Sequence, residues 1–353
     1  MNSVPQLFIK SVVRLVPDLV DLPGAWRKVG QAYMKKCGSL LLTYAPSILG
    51  DSEAPWCFRY RLCGFDHIKM RTLSKDVVTE MAKSITSFKC DISYSTVCRA
   101  SLGHWSSISS DDEKTLQLLA ALDAPKKDLF LSLNTVSRWY TEVGSRYFHF
   151  WKSFTSLQLL SHERQGVPFF LQFLKSVVSV GRLRSIKIAT MSLQDLRFSP
   201  DISDVPSNSF WADWFFSEAS AELTSGLPSF GAAVEIIGRW KKMDPWKLAP
   251  NKIFYSTCDS SDPDERLKSF FSDMTPMSVD SADPRILEKI ERKIPERISN
   301  QDYYPAQMVI QSLHYVDHPN DSSFRIYVAF LIDSMIAGTR SITYSDNYVV
   351  LVD

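Results

Sequence analysis

The sequence predicts an α/β protein in which a small N-terminal helical module, residues 1–40, precedes a repeat-like region of strands and helices, residues 41–353. Two observations lead to this fold class. Apolar side chains recur at helical spacing near the start, whereas the chain beyond residue 56 alternates short β-like runs with helical ones. With 353 residues, 45% of them hydrophobic, the chain is also long enough to bury a sizeable core.

The N-terminal module begins with SVPQLFIKSVVRLV, residues 3–16. When successive residues are placed about 100° apart, its apolar side chains occupy one half of a helix, and Lys10, Ser11 and Arg14 occupy the other. The apolar set is Phe8, Ile9, Val12, Val13, Leu15 and Val16. A second short helix is predicted after residue 23, with apolar side chains at Trp26, Val29 and Tyr33. The module therefore presents a wide apolar surface that needs a cover, because such a surface is unfavourable in water.

Strands and helices alternate along the next part of the chain. Alternating or aromatic-rich runs predict strands at 56–65, 91–97 and 128–133. Helical periodicity predicts helices at 75–88 and 111–122, the second with acidic residues in its first turn, where they complement the helix dipole. This order of elements is typical of an α/β domain.

Two similar strand–helix–strand units occupy the middle of the chain. The elements of the first are a strand at 154–160, a helix at 167–180 and a strand at 183–191, and those of the second lie at 221–226, 229–242 and 252–258. Each unit can form a right-handed crossover between parallel strands. Because the recurrence is weak and does not match a strict leucine-rich consensus, the region is predicted to be leucine-rich-repeat-like only in outline.

The C-terminal part is predicted to form a helix at 284–298 and strands at 324–333 and 348–353. It also carries His314 and His318, which could share a zinc ion if they lay on one helix. The Pro-Asn-Asp sequence that follows favours a strand that runs into a turn. We therefore expect ordinary surface histidines and no metal site.

Charge and cysteine content narrow the class of protein. The 40 Lys and Arg residues nearly balance the 39 Asp and Glu residues, and a net charge of +1 argues against a dedicated nucleic-acid binder. Lys10 and Arg14 interrupt the first apolar run, and no uncharged apolar stretch is long enough to cross a bilayer, so neither a signal peptide nor a membrane span is expected. Six cysteines without CxxC spacing predict reduced thiols and a cytoplasmic or nuclear location.

No motif in the sequence predicts catalysis. The chain has no Gly-Lys pair for a phosphate loop, no GxGxxG, no GxSxG elbow and no HExxH. We therefore expect no catalytic residue, no cofactor and no metal ion. An enzyme of an unrecognised type is the less favoured alternative.

Aromatic residues are concentrated in SFWADWFF, residues 209–216, which follows a segment rich in proline and serine. Exposed Trp and Phe side chains are typical of protein-binding sites. The candidates for such partner contacts are Phe210, Trp211, Trp214 and Phe215. The same residues also fit a buried core, and the sequence favours the core over the surface.

The stretch VPQLFIKSVVRLV, with the following DLVDLPGAWRKVGQAY, resembles an F-box, a short helical bundle that begins with a proline before an amphipathic helix and carries a later tryptophan. Pro5, Phe8, Val12, Val13 and Leu15 match its first helix, Leu19 and Leu22 match its middle, and Trp26 and Val29 match its closing Trp-x-x-apolar motif. The opening looks most like the nematode F-box-like proteins. EIIGRWKKMDPWKLAPNKIFY, residues 235–255, is similar to the α/β region of the same set.

This resemblance implies a substrate receptor of a cullin-type ubiquitin ligase. The nine matching residues would bind a Skp-type adaptor, and the α/β region would hold an unknown target protein, while ligation chemistry would belong to other subunits. Neither nucleic acid nor a membrane is expected as a partner. The alternative is an α/β protein-binding scaffold without a ubiquitin link, in which the first helix packs inside its own fold.

Overall fold

The computed structural model describes residues 5–15, 24–46, 56–92, 105–109, 112–132, 143–160, 167–189, 206–225, 230–257, 274–291, 308–333 and 347–353. It is a mixed α/β structure, as the sequence predicts. The chain divides into two compact units, Met1–Leu157 and Gln158–Asp353, so the boundary predicted at residue 40 lies inside the first unit.

In the first unit, an initial pair of helices is followed by strands with helices interspersed among them. The helices in its described residues are α1 (Gln6–Leu15), α2 (Ala25–Met34), α3 (Lys75–Ala82), α4 (Glu113–Ala121) and the single turn α5 (Phe148–Trp151). The strands are β1 (Gly38–Pro46), β2 (Trp56–Gly64), β3 (Ile85–Ile92), β4 (Ser106–Ile108) and β5 (Lys126–Ser132), in the spatial order β5-β3-β1-β2-β4. β1, β3 and β5 are parallel, whereas β2 runs antiparallel to β1 and β4. A further strand, β6 (Ser156–Leu160), spans the boundary between the units.

The helix predicted at 75–88 is correct only in its first half, because α3 is followed directly by β3. Ser84 lies between them, and its carbonyl accepts a hydrogen bond from the backbone N–H of Gly38 at 3.4 Å. Its hydroxyl donates to the carbonyl of Lys36 at 3.0 Å. These bonds tie the chain to the start of β1 and end the helix. The strand predicted at 91–97 begins earlier than expected, and its later residues lie outside the described part.

The core of the first unit centres on Trp151, which is fully buried. The centroid of its ring system lies 4.7 Å from that of Phe150, 6.1 Å from Phe58 and 6.3 Å from Phe154. Its indole N–H donates to the carbonyl of Val143 at 3.3 Å. Tilted, edge-on and stacked contacts of this kind add to the stabilisation from burial alone.

A buried lysine forms hydrogen bonds with the carbonyl groups at the end of α4. Lys127, near the start of β5, donates from Nζ to the carbonyls of Leu119, Ala120 and Leu122 at 3.1, 2.8 and 3.2 Å. The last carbonyls of a helix lack partners within the helix and form the negative end of its dipole. The ammonium group therefore satisfies three acceptors and helps to fix the helix against the strand that follows it.

In the second unit, the described elements form a sheet with helices on both faces. The helices are α6 (Val167–Val178), α7 (Asn208–Phe216), α8 (Phe230–Trp240) and α9 (Pro284–Glu291). The strands are β7 (Ser185–Ala189), β8 (Glu222–Ser225), β9 (Ile253–Thr257), β10 (Thr275–Met277), β11 (Met308–His318), β12 (Asp321–Asp333) and β13 (Asn347–Val352), in the order β10-β11-β12-β13-β9-β8-β7. β7, β8 and β9 are parallel, and the other neighbours are antiparallel. The parallel crossover predicted for the second strand–helix–strand unit is confirmed by β8, α8 and β9.

The two faces of this sheet are covered by different helices. α9 packs Ile286 and Ile290 against β-strand residues that include Leu331 and Val349. On the opposite face, Phe230 at the start of α8 lies edge-on to Tyr348 of β13, with ring centroids 5.3 Å apart. Because side chains alternate between the faces of a strand, Tyr348 and Val349 serve different cores.

A second buried lysine closes the end of α7. Lys252, directly before β9, is 2% exposed and donates from Nζ to the carbonyls of Phe215 and Ser217 at 2.8 and 2.6 Å. The Oγ of Ser220 lies 2.8 Å from the same nitrogen. Burial lowers the pKa of Lys252 to about 8. In both units a lysine at or directly before the start of a strand thus satisfies the carbonyls at the end of a helix.

Candidate functional site

The N-terminal helices form a small core of their own. Ile9 and Val13, one turn apart on α1, are fully buried and cluster with Tyr33 near the end of α2 and with Cys37 directly before β1. Trp26, among other partly buried residues of α2, packs against this cluster. Only part of the apolar half of α1 is used in this contact, because a helix buries a single stripe of i and i+4 positions against one neighbour.

Two apolar side chains of α1 lie mainly at the surface. Phe8 is 54% exposed and Leu7 is 76% exposed, while Val12 is partly buried one turn from Phe8. The Phe8 ring lies edge-on to Trp26, with ring centroids 6.2 Å apart. We call this set, Leu7, Phe8, Val12 and Trp26, the Phe8 surface. Phe8 and Trp26 lie beside the small core of Ile9, Val13, Tyr33 and Cys37, and Phe8 is accessible for contact with another molecule.

The residues expected to bind an adaptor are only partly brought together. Pro5 is exposed, and its carbonyl accepts the backbone N–H of Ile9 at 3.1 Å, so it precedes the first turn of α1. Those that share the helical pair are Phe8, Val12, Val13, Trp26 and Val29. Val13 points into the small core, so it supports the surface instead of forming part of it. The Leu15 side chain, Leu19 and Leu22 lie outside the described residues.

The aromatic segment proposed as a partner-binding surface belongs mainly to the core. α7 begins after Ser207, whose hydroxyl accepts the N–H of Phe210 at 3.2 Å. Trp211, Trp214 and Phe215 are buried, and only Phe210 is partly exposed. They do not form an exposed surface, because α7 packs against α8 and β9.

One exposed aromatic residue was not singled out from the sequence. Trp246 lies in a short 3-10 turn, Pro245–Lys247, between α8 and β9, and it is 75% exposed. The ring of Phe324 on β12 lies edge-on to it, with ring centroids 4.6 Å apart. Lys242 and Lys247 are exposed nearby in the same loop. We call Trp246, Phe324, Lys242 and Lys247 the Trp246 surface. The signal that could have indicated it is the Asp-Pro pair after α8. This pair ends the helical pattern, so the aromatic residue that follows does not belong to the buried face of the helix.

His318 anchors the β11–β12 hairpin beside this surface. Its ring is buried, Nδ1 accepts the N–H of Asn320 at 3.2 Å, and Nε2 lies 3.0 Å from the carbonyl of Trp240. Because Nδ1 accepts, Nε2 is the nitrogen that donates to the carbonyl of Trp240. The expected strand followed by a turn is confirmed, but the expected surface position of His318 is wrong, because the end of α8 covers the ring.

Replacement of His318 by leucine is expected to lower the free energy of unfolding by about 2–4 kcal/mol. Leucine fills a similar space but leaves the buried carbonyl of Trp240 and the N–H of Asn320 without their partner. Urea unfolding measures the loss, with His149→Leu as the control because His149 is exposed. Equal midpoints for the two variants would contradict the anchoring role.

Within the described part of the chain, no three His, Cys, Asp or Glu side chains form a group that could hold a metal ion. His314 and His318 lie on the same strand, so four residues separate them by about 13 Å, too far to ligate one ion. Burial lowers the pKa of His314. In the same described residues, each helix is too short or too polar to cross a bilayer.

The comparisons with known proteins gave no match to any family model, curated protein or solved structure. What the described geometry offers chemically is two exposed aromatic surfaces, one in each unit, each supported by a buried core.

Proposed function

We propose that this chain is a non-catalytic protein-interaction protein, resembling an F-box substrate receptor that links a target protein to a cullin-type ubiquitin ligase. The N-terminal helical pair docks on a Skp-type adaptor, and the α/β region from residue 41 onward, with its leucine-rich-repeat-like crossovers, holds the target. A cytoplasmic or nuclear location accompanies this proposal, in keeping with the thiol state of Cys57, Cys63 and Cys90.

The observation that carries the proposal is the exposure of Phe8 at 54% on a helical pair whose own core is already closed. Burial of a side chain of this size is worth about 1.5–3 kcal/mol, and Leu7 beside it adds a second such gain. A partner that covers both side chains therefore gains from contact without having to unfold the pair. The alternative scaffold, with the first helix packed permanently inside its own fold, requires burial of Phe8, which its exposure disfavours.

Phe8→Asp is expected to reduce co-purification of a co-expressed Skp-type adaptor by at least about tenfold. A carboxylate at the centre of the contact would have to lose its hydration, whereas the small core of Ile9 and Val13 is untouched. The measurement is the amount of adaptor recovered per mole of tagged chain. A variant that lacks residues 1–36 gives the background recovery expected without the helical pair.

Met70→Asp is the matched control, because Met70 is 91% exposed in the same unit and belongs to neither candidate surface. It should retain the wild-type recovery of adaptor. Equal recovery with wild type, Phe8→Asp and the deletion would refute the adaptor proposal, and so would a wild-type chain that recovers no adaptor.

A further inference from the structure

Trp246 is exposed, yet the loop that carries it is firmly anchored. The Asp244 carboxylate accepts the backbone N–H of Trp246 at 3.2 Å, and the N–H of Lys247 donates to the Asp244 carbonyl at 3.1 Å. Pro245 and Leu248, on either side of the indole, are buried and joined by a backbone hydrogen bond of 3.2 Å. The indole is therefore presented by a pre-organised turn, which reduces the entropy lost when a partner binds.

The β11–β12 hairpin, whose residue Phe324 contacts the indole, is also stabilised by hydrogen bonds. Phe324 follows the turn that His318 anchors, and Ser323 next to it donates from its N–H and its hydroxyl to Asp321 at 3.0 and 2.7 Å. Asp317 accepts a hydrogen bond from Arg325 at 2.6 Å. Asp317 and Asp321 thus each accept hydrogen bonds from neighbouring residues of the hairpin.

The loop that carries the indole has an excess of positive charge. Between residues 241 and 247 three lysines stand against one aspartate, and that aspartate caps the turn. Lys242 and Lys247 are exposed, and no ion pair joins either of them to another described residue. An apolar anchor flanked by cations is complementary to an apolar side chain flanked by carboxylates.

A protein segment fits this surface better than a membrane or a nucleic acid. Lipid recognition through charge takes clusters of about four to eight Lys or Arg residues, more than this loop carries. Binding of single-stranded nucleic acid requires several aromatic side chains along a basic groove, whereas here one indole contacts one phenyl ring edge-on. A single exposed tryptophan with a charged rim is instead typical of a protein–protein anchor.

We propose that the Trp246 surface is the target-binding site of the chain, and that it binds a segment in which an aromatic or large aliphatic side chain lies between Asp or Glu residues. This inference rests on the proposed function, because it names the class of target that the receptor holds. The apolar side chain of the segment packs against Trp246 and Phe324, and its carboxylates pair with Lys242 and Lys247.

The test is to incubate labelled full-length chain with an array of short random peptides. Peptides retained by the wild type should be enriched in Asp and Glu around an aromatic or leucine residue. Trp246→Ala should lower their retention by about tenfold or more, as expected for a central aromatic anchor. The double charge reversal Lys242→Glu with Lys247→Glu, or about 0.5 M salt, should lower it severalfold. Met70→Ala, an exposed apolar residue of the other unit, should leave it unchanged.

Absence of acidic enrichment among the retained peptides would overturn the inference, and so would full retention by Trp246→Ala. Trp246-dependent binding to phosphatidylserine vesicles or to oligo-dT, without peptide selection, would assign the surface to another class of partner and would also overturn it. Circular dichroism checks that Trp246→Ala is folded. Phe8→Asp separates the two proposals: loss of adaptor with intact peptide retention supports both, whereas peptide retention by a wild type that recovers no adaptor refutes only the ubiquitin link.

Discussion

Trp151→Ala is expected to lower the free energy of unfolding by about 3–5 kcal/mol, the largest loss that we predict for a single substitution in this chain. The indole is fully buried and contacts Phe58, Phe150 and Phe154, so its removal leaves a cavity among rings that cannot move far. The carbonyl of Val143 also loses its donor. Urea unfolding followed by circular dichroism measures the change.

Trp246→Ala serves as the control for Trp151→Ala, because it removes the same side chain from an exposed position. It should change the free energy of unfolding by less than about 1 kcal/mol. A Trp151→Ala variant with the unfolding midpoint of the control would contradict a first unit centred on this residue.

Lys252→Met is expected to lower the free energy of unfolding by about 2–4 kcal/mol at neutral pH. Methionine fills much the same volume, but it offers no donor to the carbonyls of Phe215 and Ser217 at the end of α7. Lys247→Met is the matched control, because Lys247 is exposed in the same loop and should be nearly neutral. Similar losses in the two variants would contradict the role of Lys252 at the helix end.

The difference in stability between wild type and Lys252→Met should also grow with pH. Burial lowers the pKa of Lys252 from 10.5 to about 8, so between these two values the unfolded chain binds more protons than the folded one. The free energy of unfolding of the wild type therefore rises through this window, because the folded state loses a charge that burial disfavours. Methionine does not titrate, so subtraction of the variant isolates this effect. A difference that stays constant from about pH 7 to 10 would contradict it.

Local patterns predicted many elements of this fold. The alternation in WCFRYRLCG and the apolar run in FRIYVAFLID identify β2 and β12, and the periodicity of SFGAAVEIIGRW identifies α8. In each case the pattern and the tertiary environment agree. β2 and α8 carry the period of an element that packs mainly by one face, whereas β12 is a continuous apolar run whose residues 326–331 are all buried. The end of α3 was mispredicted, because Ser84 and β1 determine it through hydrogen bonds between residues far apart in sequence.

Exposure was harder to predict than secondary structure. Trp211 and Trp246 are the same residue type, yet one is fully buried and the other is 75% exposed. The difference arises because α7 packs against both α8 and β9, whereas the described ring contact of Trp246 is with Phe324 alone. His318 shows the same limit, since only the approach of α8 buries its ring.

By itself, the sequence determined the α/β class, the helical nature of the N-terminal module and the polar face that Lys10 and Ser11 mark on α1, because these depend on periodicity within one segment. Only the tertiary structure decided which part of the apolar half of that helix is covered. Ile9 and Val13 meet α2, and Phe8 is left at the surface with Trp26. The physical reason is that burial depends on the contact between elements. The same amphipathic helix can pack against a neighbour in several orientations, and the position of the neighbouring helix determines which side chains are covered.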